Sequence, residues 1–278
     1  MSYFEAKGIS KRVHPEKPGY LFHNASLTVS QGELVAITGP SGIGKTTFLK
    51  CLADLIIYEE GECLLQQESR KSFTASNWRA RVTYIPQRPP AMPGTPLEFL
   101  DRVKQLKAQA ARVTQFDDPI KIGLEWNLSE HLWYEEWSTL SGGEMQRMQL
   151  ALGLSLKPDV VLLDEPTSAL DAATTLLVEE TLKKYTVIMV THSQEQAFRI
   201  ATSQLQFHPP EHPGTPARTE QRDVEGSRRG FDWQDAWYSA QSGRETPRST
   251  KSGKTNGTNG KKAQDGRLAE ILVQERVQ

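Results

Sequence analysis

Eight consecutive residues, Gly39-Pro40-Ser41-Gly42-Ile43-Gly44-Lys45-Thr46, have the types and spacing needed to grip a phosphate chain. Glycines at these positions let successive backbone N–H groups turn inward around phosphate oxygens. A helix opening near Lys45 adds its partial positive N-terminus. The Lys45 ammonium suits the β- and γ-phosphates of a nucleotide, and the Thr46 hydroxyl suits Mg2+. Thr47 carries this nucleotide-binding stretch into the helix.

A second acidic element completes the chemistry. Asp164 and Glu165 close the aliphatic run Val160-Val161-Leu162-Leu163, which puts both carboxylates at the carboxyl end of a central strand. Ligands of open α/β sheets bind at that edge. Asp164 is the candidate Mg2+ ligand, and Glu165 is the candidate general base that polarises an attacking water. Gln87 follows the short strand Val82-Thr83-Tyr84-Ile85 and its stop at Pro86, and His192 follows Val187-Ile188-Met189-Val190 and Thr191. Ser141, Gly142 and Gly143 precede a helix marked by apolar Met145, Met148, Leu150 and Leu152. Backbone N–H groups at such a start favour anions.

The elements that position these groups follow from the apolar pattern. Ser26 to Val29 alternates, Gln31-Gly32 turns, and Glu33 to Thr38 reads as a buried strand feeding the phosphate loop. Lys45 to Asp54 has helical spacing, with Phe48, Leu49 and Leu52 on one side. From Pro96 to about Leu156 the pattern is helical. The aliphatic runs at 160–163 and 187–190 are typical of parallel strands, and the amphipathic stretch Ala172 to Lys184 between them makes a strand-helix-strand unit. After Phe207 come Pro209, Pro210, Pro213 and Pro216, then a stretch rich in Ser, Thr, Gly, Asn, Arg and Lys. Such a stretch buries too little apolar surface to offset its chain entropy. Residues 209–278 are therefore expected to be a mostly disordered tail, interrupted by an aromatic island (Phe231, Trp233, Trp237, Tyr238) and an amphipathic helix at 267–277.

Bulk composition excludes other classes. In 278 residues, 37% are hydrophobic and 24% charged, as in ordinary globular chains. A net charge of −1 supplies no field toward nucleic acid, so no nucleic-acid partner is expected. Two cysteines, Cys51 and Cys63, make neither a disulfide framework nor a metal site. No apolar run approaches the roughly 18–20 residues that cross a bilayer, and the N-terminus lacks a signal pattern. The expectation is a cytoplasmic chain.

The segment Leu140-Ser141-Gly142-Gly143-Glu144-Met145-Gln146-Arg147, with the phosphate loop before it and Leu162-Leu163-Asp164-Glu165-Pro166 after it, resembles the signature of ATP-binding cassette (ABC) ATPases. The resemblance covers the stretch from Tyr3 to Pro209. It implies an α/β fold: a P-loop NTPase core with a parallel central sheet, an N-terminal antiparallel β-subdomain, and an inserted α-helical subdomain at about 88–156, all within a cassette at 1–208. It further implies that Gln87 contacts Mg2+ and the attacking water, that His192 contacts the γ-phosphate, and that Ser141, Gly142 and Gly143 cap a nucleotide bound by a second cassette. Ser168-Ala169-Leu170-Asp171 resembles the loop linking the two composite sites. ATP and Mg2+ are the implied cofactors. The implied partners are a second cassette, as a homodimer, and a separate polytopic membrane subunit that holds the chain on the cytoplasmic face of a membrane.

One position departs from that pattern. The aromatic residue with which cassettes stack adenine falls near Val13 or His14, leaving Tyr20 or His14 as substitutes. The stretches Ile37-Thr38-Gly39-Pro40-Ser41-Gly42, Tyr84-Ile85-Pro86-Gln87 and Met92 to Leu100 resemble a branch of importer-style subunits. That branch includes FetA-type subunits linked to iron and plant subunits linked to aluminium tolerance, and it implies that Ala91 to Leu100 helps form the groove for the membrane partner. Two other readings are an ABC ATPase outside transport, for instance in metal-cluster assembly, and a nucleotide-gated binding module. Glu165 and His192 together argue against the last, which needs neither.

Overall fold

The computed structural model describes residues 2–14, 19–88, 93–210 and 215–224. Phe4–Arg12 (β1) and Tyr20–Val29 (β2) pair antiparallel, and Leu34–Thr38 (β3) then leads through the phosphate loop into Lys45–Leu52 (α1). Glu60–Leu65 (β4) and Glu68–Ser69 (β5) join β1 in a four-stranded sheet of order β2-β1-β4-β5. Ala75–Arg81 (α2) precedes Val82–Ile85 (β6). Four helices follow: Pro96–Gln105 (α3), Lys107–Ala110 (α4), Pro119–Glu125 (α5) and Gly142–Ser155 (α6). Val160–Asp164 (β7), Ala172–Leu182 (α7) and Val187–Val190 (β8) form the expected strand-helix-strand unit. Gln194–Ile200 (α8), Ser203–His208 (β9) and Arg218–Asp223 (β10) end the described chain.

The second sheet has the order β10-β9-β3-β8-β7-β6 and is parallel except for its β10 edge. Strands β3, β7 and β8 are buried along their whole length, as strands covered on both faces must be. Their side chains alternate in direction, and two cores result. Val35, Ile37, Val160, Leu162, Ile188 and Val190 pack with Phe48 and Leu49 of α1 and with Phe4, Phe22 and Leu27 of the antiparallel sheet. Leu34, Ala36, Val161, Leu163, Val187 and Met189 pack with Met148 and Leu152 of α6, Val178 and Leu182 of α7, and Ala197 of α8. Cys51 and Cys63 are buried free thiols in the first core, and burial pushes each up to about 12.

Two expectations need correction. The helix after the phosphate loop ends at Leu52, not Asp54. The ordered cassette does not stop at residue 208, because β10 pairs in register with β9 from Arg218↔His208 to Asp223↔Ser203. The buried side chains of Ala217 and Val224 flank this strand. Its Gln221 accepts from Thr28 N at 3.0 Å and donates to Thr28 O at 2.8 Å, tying the edge to β2. A strand held through its backbone on one side needs no apolar run. The aromatic island and the helix expected at 267–277 lie outside the described residues, as do Ala91 and Met92.

Candidate functional site

Strands β3, β8, β7 and β6 are neighbours, so their carboxyl ends deliver the phosphate loop, His192, Asp164-Glu165 and Gln87 to one edge. Between them is a cavity of about 320 Å3 lined by Leu21, Ser41, Gly42, Gly44, Lys45, Thr46, Thr47, Glu165, Val190 and His192.

The floor of this cavity is the N-terminus of α1. Helices α2, α3, α5, α6, α7 and α8 each open on a Ser, Thr or Asp whose side chain accepts a backbone N–H. Helix α1 opens instead on Gly44, at φ 106°, with no side-chain cap. Its first-turn N–H groups keep their capacity for an anion. At Gly44 a Cβ would meet Leu21 Cδ2 at 2.9 Å and displace that side chain, and at φ 106° an L-residue is strained. Lys45 is 5% exposed, and its Nζ donates to Gly39 O at 2.8 Å and Pro40 O at 2.7 Å. Burial lowers the Lys45 pKa from its ordinary value, while the nearby carboxylates of Glu165 and Asp164 pull the other way.

The acidic pair splits into two environments. Asp164 is buried; Thr46 Oγ1 donates to its Oδ1 at 3.0 Å and the Tyr84 hydroxyl to its Oδ2 at 3.0 Å. A hydroxyl and a carboxylate side by side, all oxygen, suit a hard cation such as Mg2+ that also takes phosphate oxygens. Glu165 is more open. Gln87 Nε2 donates to its Oε2 at 2.8 Å, and His192 Nε2 lies 2.9 Å from its Oε1. The Glu165 carboxylate is thus held from both sides while facing the cavity. Its backbone has φ 47°, a left-handed conformation uncommon outside glycine, and Glu165 N donates to Val190 O at 3.1 Å.

Gly39, Pro40 and Ile43 belong to the same loop but not to the cavity lining. Gly39, at φ 140°, faces Phe207 so closely that a Cβ would stand 2.6 Å from Phe207 O. Ser141, Gly142 and Gly143 are absent from the cavity lining. They form the start of α6, where Ser141 and Glu144 cap each other's backbone and Gly142 is exposed. The structure therefore gathers the phosphate loop, Gln87, Asp164, Glu165 and His192, and leaves the Ser-Gly-Gly turn outside.

Sequence reasoning missed several groups here. The sequence pattern gives Tyr84 no site role of its own, yet its hydroxyl sits on Asp164. Ser168, expected in the loop linking the two composite sites, has its Oγ 3.5 Å from Gln87 Nε2. Gln196 links three segments: its amide donates to Thr167 Oγ1 at 2.8 Å and Glu179 Oε1 at 2.9 Å, and accepts from Thr191 Oγ1 at 2.7 Å. Among substitutes for an adenine-stacking ring, Tyr20 is engaged by Glu60, Arg12 and His23. Val13 is 71% exposed, and the described cavity lining contributes Leu21 but no aromatic ring besides His192.

Residues 22–168 match a family model described as "ABC transporter". The chain is 34% identical over 197 residues to "Phosphate import ATP-binding protein PstB 1" of Vibrio cholerae, covering 66% of this chain and 72% of that protein. It is 35% identical over 200 residues to "Phosphate import ATP-binding protein PstB" of Koribacter versatilis, covering 66% and 78%. Among solved structures, a dimeric ATP-binding cassette bound to ADP and Pi aligns at TM-score 0.64 and 23% identity, over 82% of this chain and all of that one. A bacterial Atm1-family ABC exporter with ATP bound aligns at TM-score 0.63 and 22% identity, over 88% of this chain and 43% of that one. At these identities the two structures speak for the fold alone.

Proposed function

This chain belongs to the ABC transporter family, whose ATP-binding subunits are ATPases, and we propose that it is the ATP-hydrolysing subunit of a transporter whose membrane-spanning subunit is a separate chain. The observation that carries the reading is the division of one site between two faces. The cavity holds the phosphate loop and the Glu165 carboxylate, while Ser141, Gly142 and Gly143 of the same chain lie outside it. Two copies closing head to tail put the Ser-Gly-Gly turn of each over the cavity of the other.

In such a dimer the open N–H groups of α1 and the Lys45 ammonium bind the β- and γ-phosphates of ATP. The turn of the second copy caps the γ-phosphate. Thr46, Asp164 and Gln87 would hold Mg2+, which supplies positive charge against the phosphates. Glu165 takes a proton from the attacking water. Gln87 and His192, each within 2.9 Å of its carboxylate, fix the direction in which that carboxylate faces. Burial makes the Lys45 charge more effective, because no bulk water screens it. Hydrolysis removes the charge that bridges the two copies, and the dimer opens.

The membrane subunit is a separate chain in this reading; no described helix is long and apolar enough to cross a membrane. The chain then works on the cytoplasmic side, docked through the surface near Gln87. The names of its relatives favour inward transport. A metal-ion cargo, the alternative to phosphate, has the stretch near Met92 to Leu100 in its favour.

The test is size-exclusion chromatography with light scattering on Glu165→Gln. A shift from monomer to dimer on adding Mg-ATP is expected. A protein that stays monomeric at saturating ATP refutes the two-copy site.

A further inference from the structure

We propose that Gln146 is a positioning residue for hydrolysis: it fixes the backbone of Glu165 and so ties the start of α6 to this chain's own general base. The proposal rests on the assignment of Glu165 above.

Gln146 lies on the second turn of α6 and is 3% exposed. Its whole amide is spent on one loop. Nε2 donates to Glu165 O at 3.1 Å and to Ser168 Oγ at 3.3 Å, and Oε1 accepts from Ala169 N at 2.9 Å. The loop it grips is the strained one. Glu165 stands at φ 47°, a conformation that a side chain disfavours and that persists only where surrounding contacts impose it. Backbone bonds from Glu165 N to Val190 O and from Ser168 N to Glu165 O supply part of that constraint. Gln146 is the side chain that closes it from the helical subdomain.

The same helix approaches the loop a turn earlier. A Cβ on Gly143 would stand 3.2 Å from Ala169 O, so the Ser-Gly-Gly turn packs on the same segment that Gln146 holds, one turn of one helix face away. Within one chain, the turn that caps a partner's nucleotide and the carboxylate that serves its own are thus joined through one buried amide. Neighbouring Gln149 donates to Pro86 O at 3.2 Å, so α6 also holds the residue before Gln87. A shift of α6 moves the Glu165 carbonyl and, through it, the direction of the carboxylate.

Misplacing a catalytic group by about an ångström costs up to roughly a hundredfold in rate. For Gln146→Met in the full chain, steady-state ATP hydrolysis should lose about ten- to a hundredfold in kcat, with KM for ATP within about twofold. Because Gln146 acts through Glu165, the losses should not multiply. Adding Gln146→Met to Glu165→Gln should change the single-turnover rate of γ-labelled ATP by less than about twofold. Gln146→Glu keeps the acceptor for Ala169 N and loses the donor to Glu165 O, and it repeats the test if the methionine variant fails to fold. An unchanged kcat, or an equal loss in both backgrounds, overturns the proposal. A different result, Glu165→Gln hydrolysing ATP at the wild-type rate, overturns the general-base assignment itself.

Discussion

Replacing Lys45 by methionine should abolish stabilisation by ATP while leaving the nucleotide-free fold as stable as before, or more so. The reasoning starts from the site geometry. Lys45 is 5% exposed, and its ammonium donates to Gly39 O and Pro40 O at 2.8 and 2.7 Å. Both residues are accessible enough for water to take the lysine's place on these carbonyls. Methionine retains the apolar stem and removes a charge whose burial is unfavourable. Desolvation is the largest influence on Lys45 and lowers its pKa from 10.5, against opposing pulls from Glu165 and Asp164. With the folded-state value below the unfolded one, the unfolded chain binds more protons between the two, and stability rises with pH there. The penalty is therefore complete below that window and relieved as pH approaches 10.5. Any advantage of Lys45→Met at neutral pH should shrink over the same range. With ATP at about 100 times Kd, the wild-type chain gains about 2.7 kcal/mol. For a domain of this size that is roughly 5–11 °C in Tm. Thermal unfolding with and without Mg-ATP reads both effects. A variant that keeps the ATP shift, or that loses more than about 5 °C without nucleotide, refutes the argument.

Gly39→Ala tests the entry to the phosphate loop. Its Cβ would stand 2.6 Å from Phe207 O, a backbone atom fixed by the β3–β9 pairing, and at φ 140° an L-residue is strained in any case. Overpacking and strain together should cost about 2–5 kcal/mol, a Tm lower by roughly 5–20 °C; a change under about 2 °C would show that the strand end yields. Cys51 and Cys63 are buried and held protonated, with pKa values pushed up to about 12. At pH 8 a thiol-specific disulfide reagent should label neither in the native protein and both in denaturant, since the thiolate is the reactive form. Rapid native labelling of either would place that thiol at the surface.

The parts of the site that were legible in the sequence are those set by local pattern. Val160–Asp164 and Val187–Val190 are short aliphatic runs ending in acidic or Thr-His residues, so strand and site are written in adjacent positions. Gly44-Lys45 at a strand-helix junction is equally local. What the sequence could not show depends on which strands are neighbours. Tyr84 meets Asp164 because β6 pairs with β7 in the register Tyr84↔Leu162, which puts the ends of both strands at one edge. Strand β10 contains no apolar residue, and the contact that anchors it, Gln221 to Thr28, spans 193 positions. Neither composition nor periodicity carries such a signal.

Glutamine is the sharpest case. Gln87, Gln146 and Gln196 are the same residue type in the sequence, and only Gln87 stands out there, through its neighbours. In the fold each amide has both a distinct address and a distinct job. Gln87 touches the Glu165 carboxylate itself. Gln146 holds the Glu165 carbonyl from α6, and Gln196 holds Thr167 from α8 while also accepting from Thr191, next to His192. A glutamine can do this because one side chain carries two donors and an acceptor at fixed separation. The segment from Glu165 to Ala169 is therefore gripped from two helices. Buried, satisfied amides of this kind resist independent motion of the loop, because moving it alone would leave polar groups unpaired. Moving the Glu165 backbone then requires α6 or α8 to move with it, which ties the point from which the carboxylate projects to the positions of those helices rather than to the flexibility of the loop.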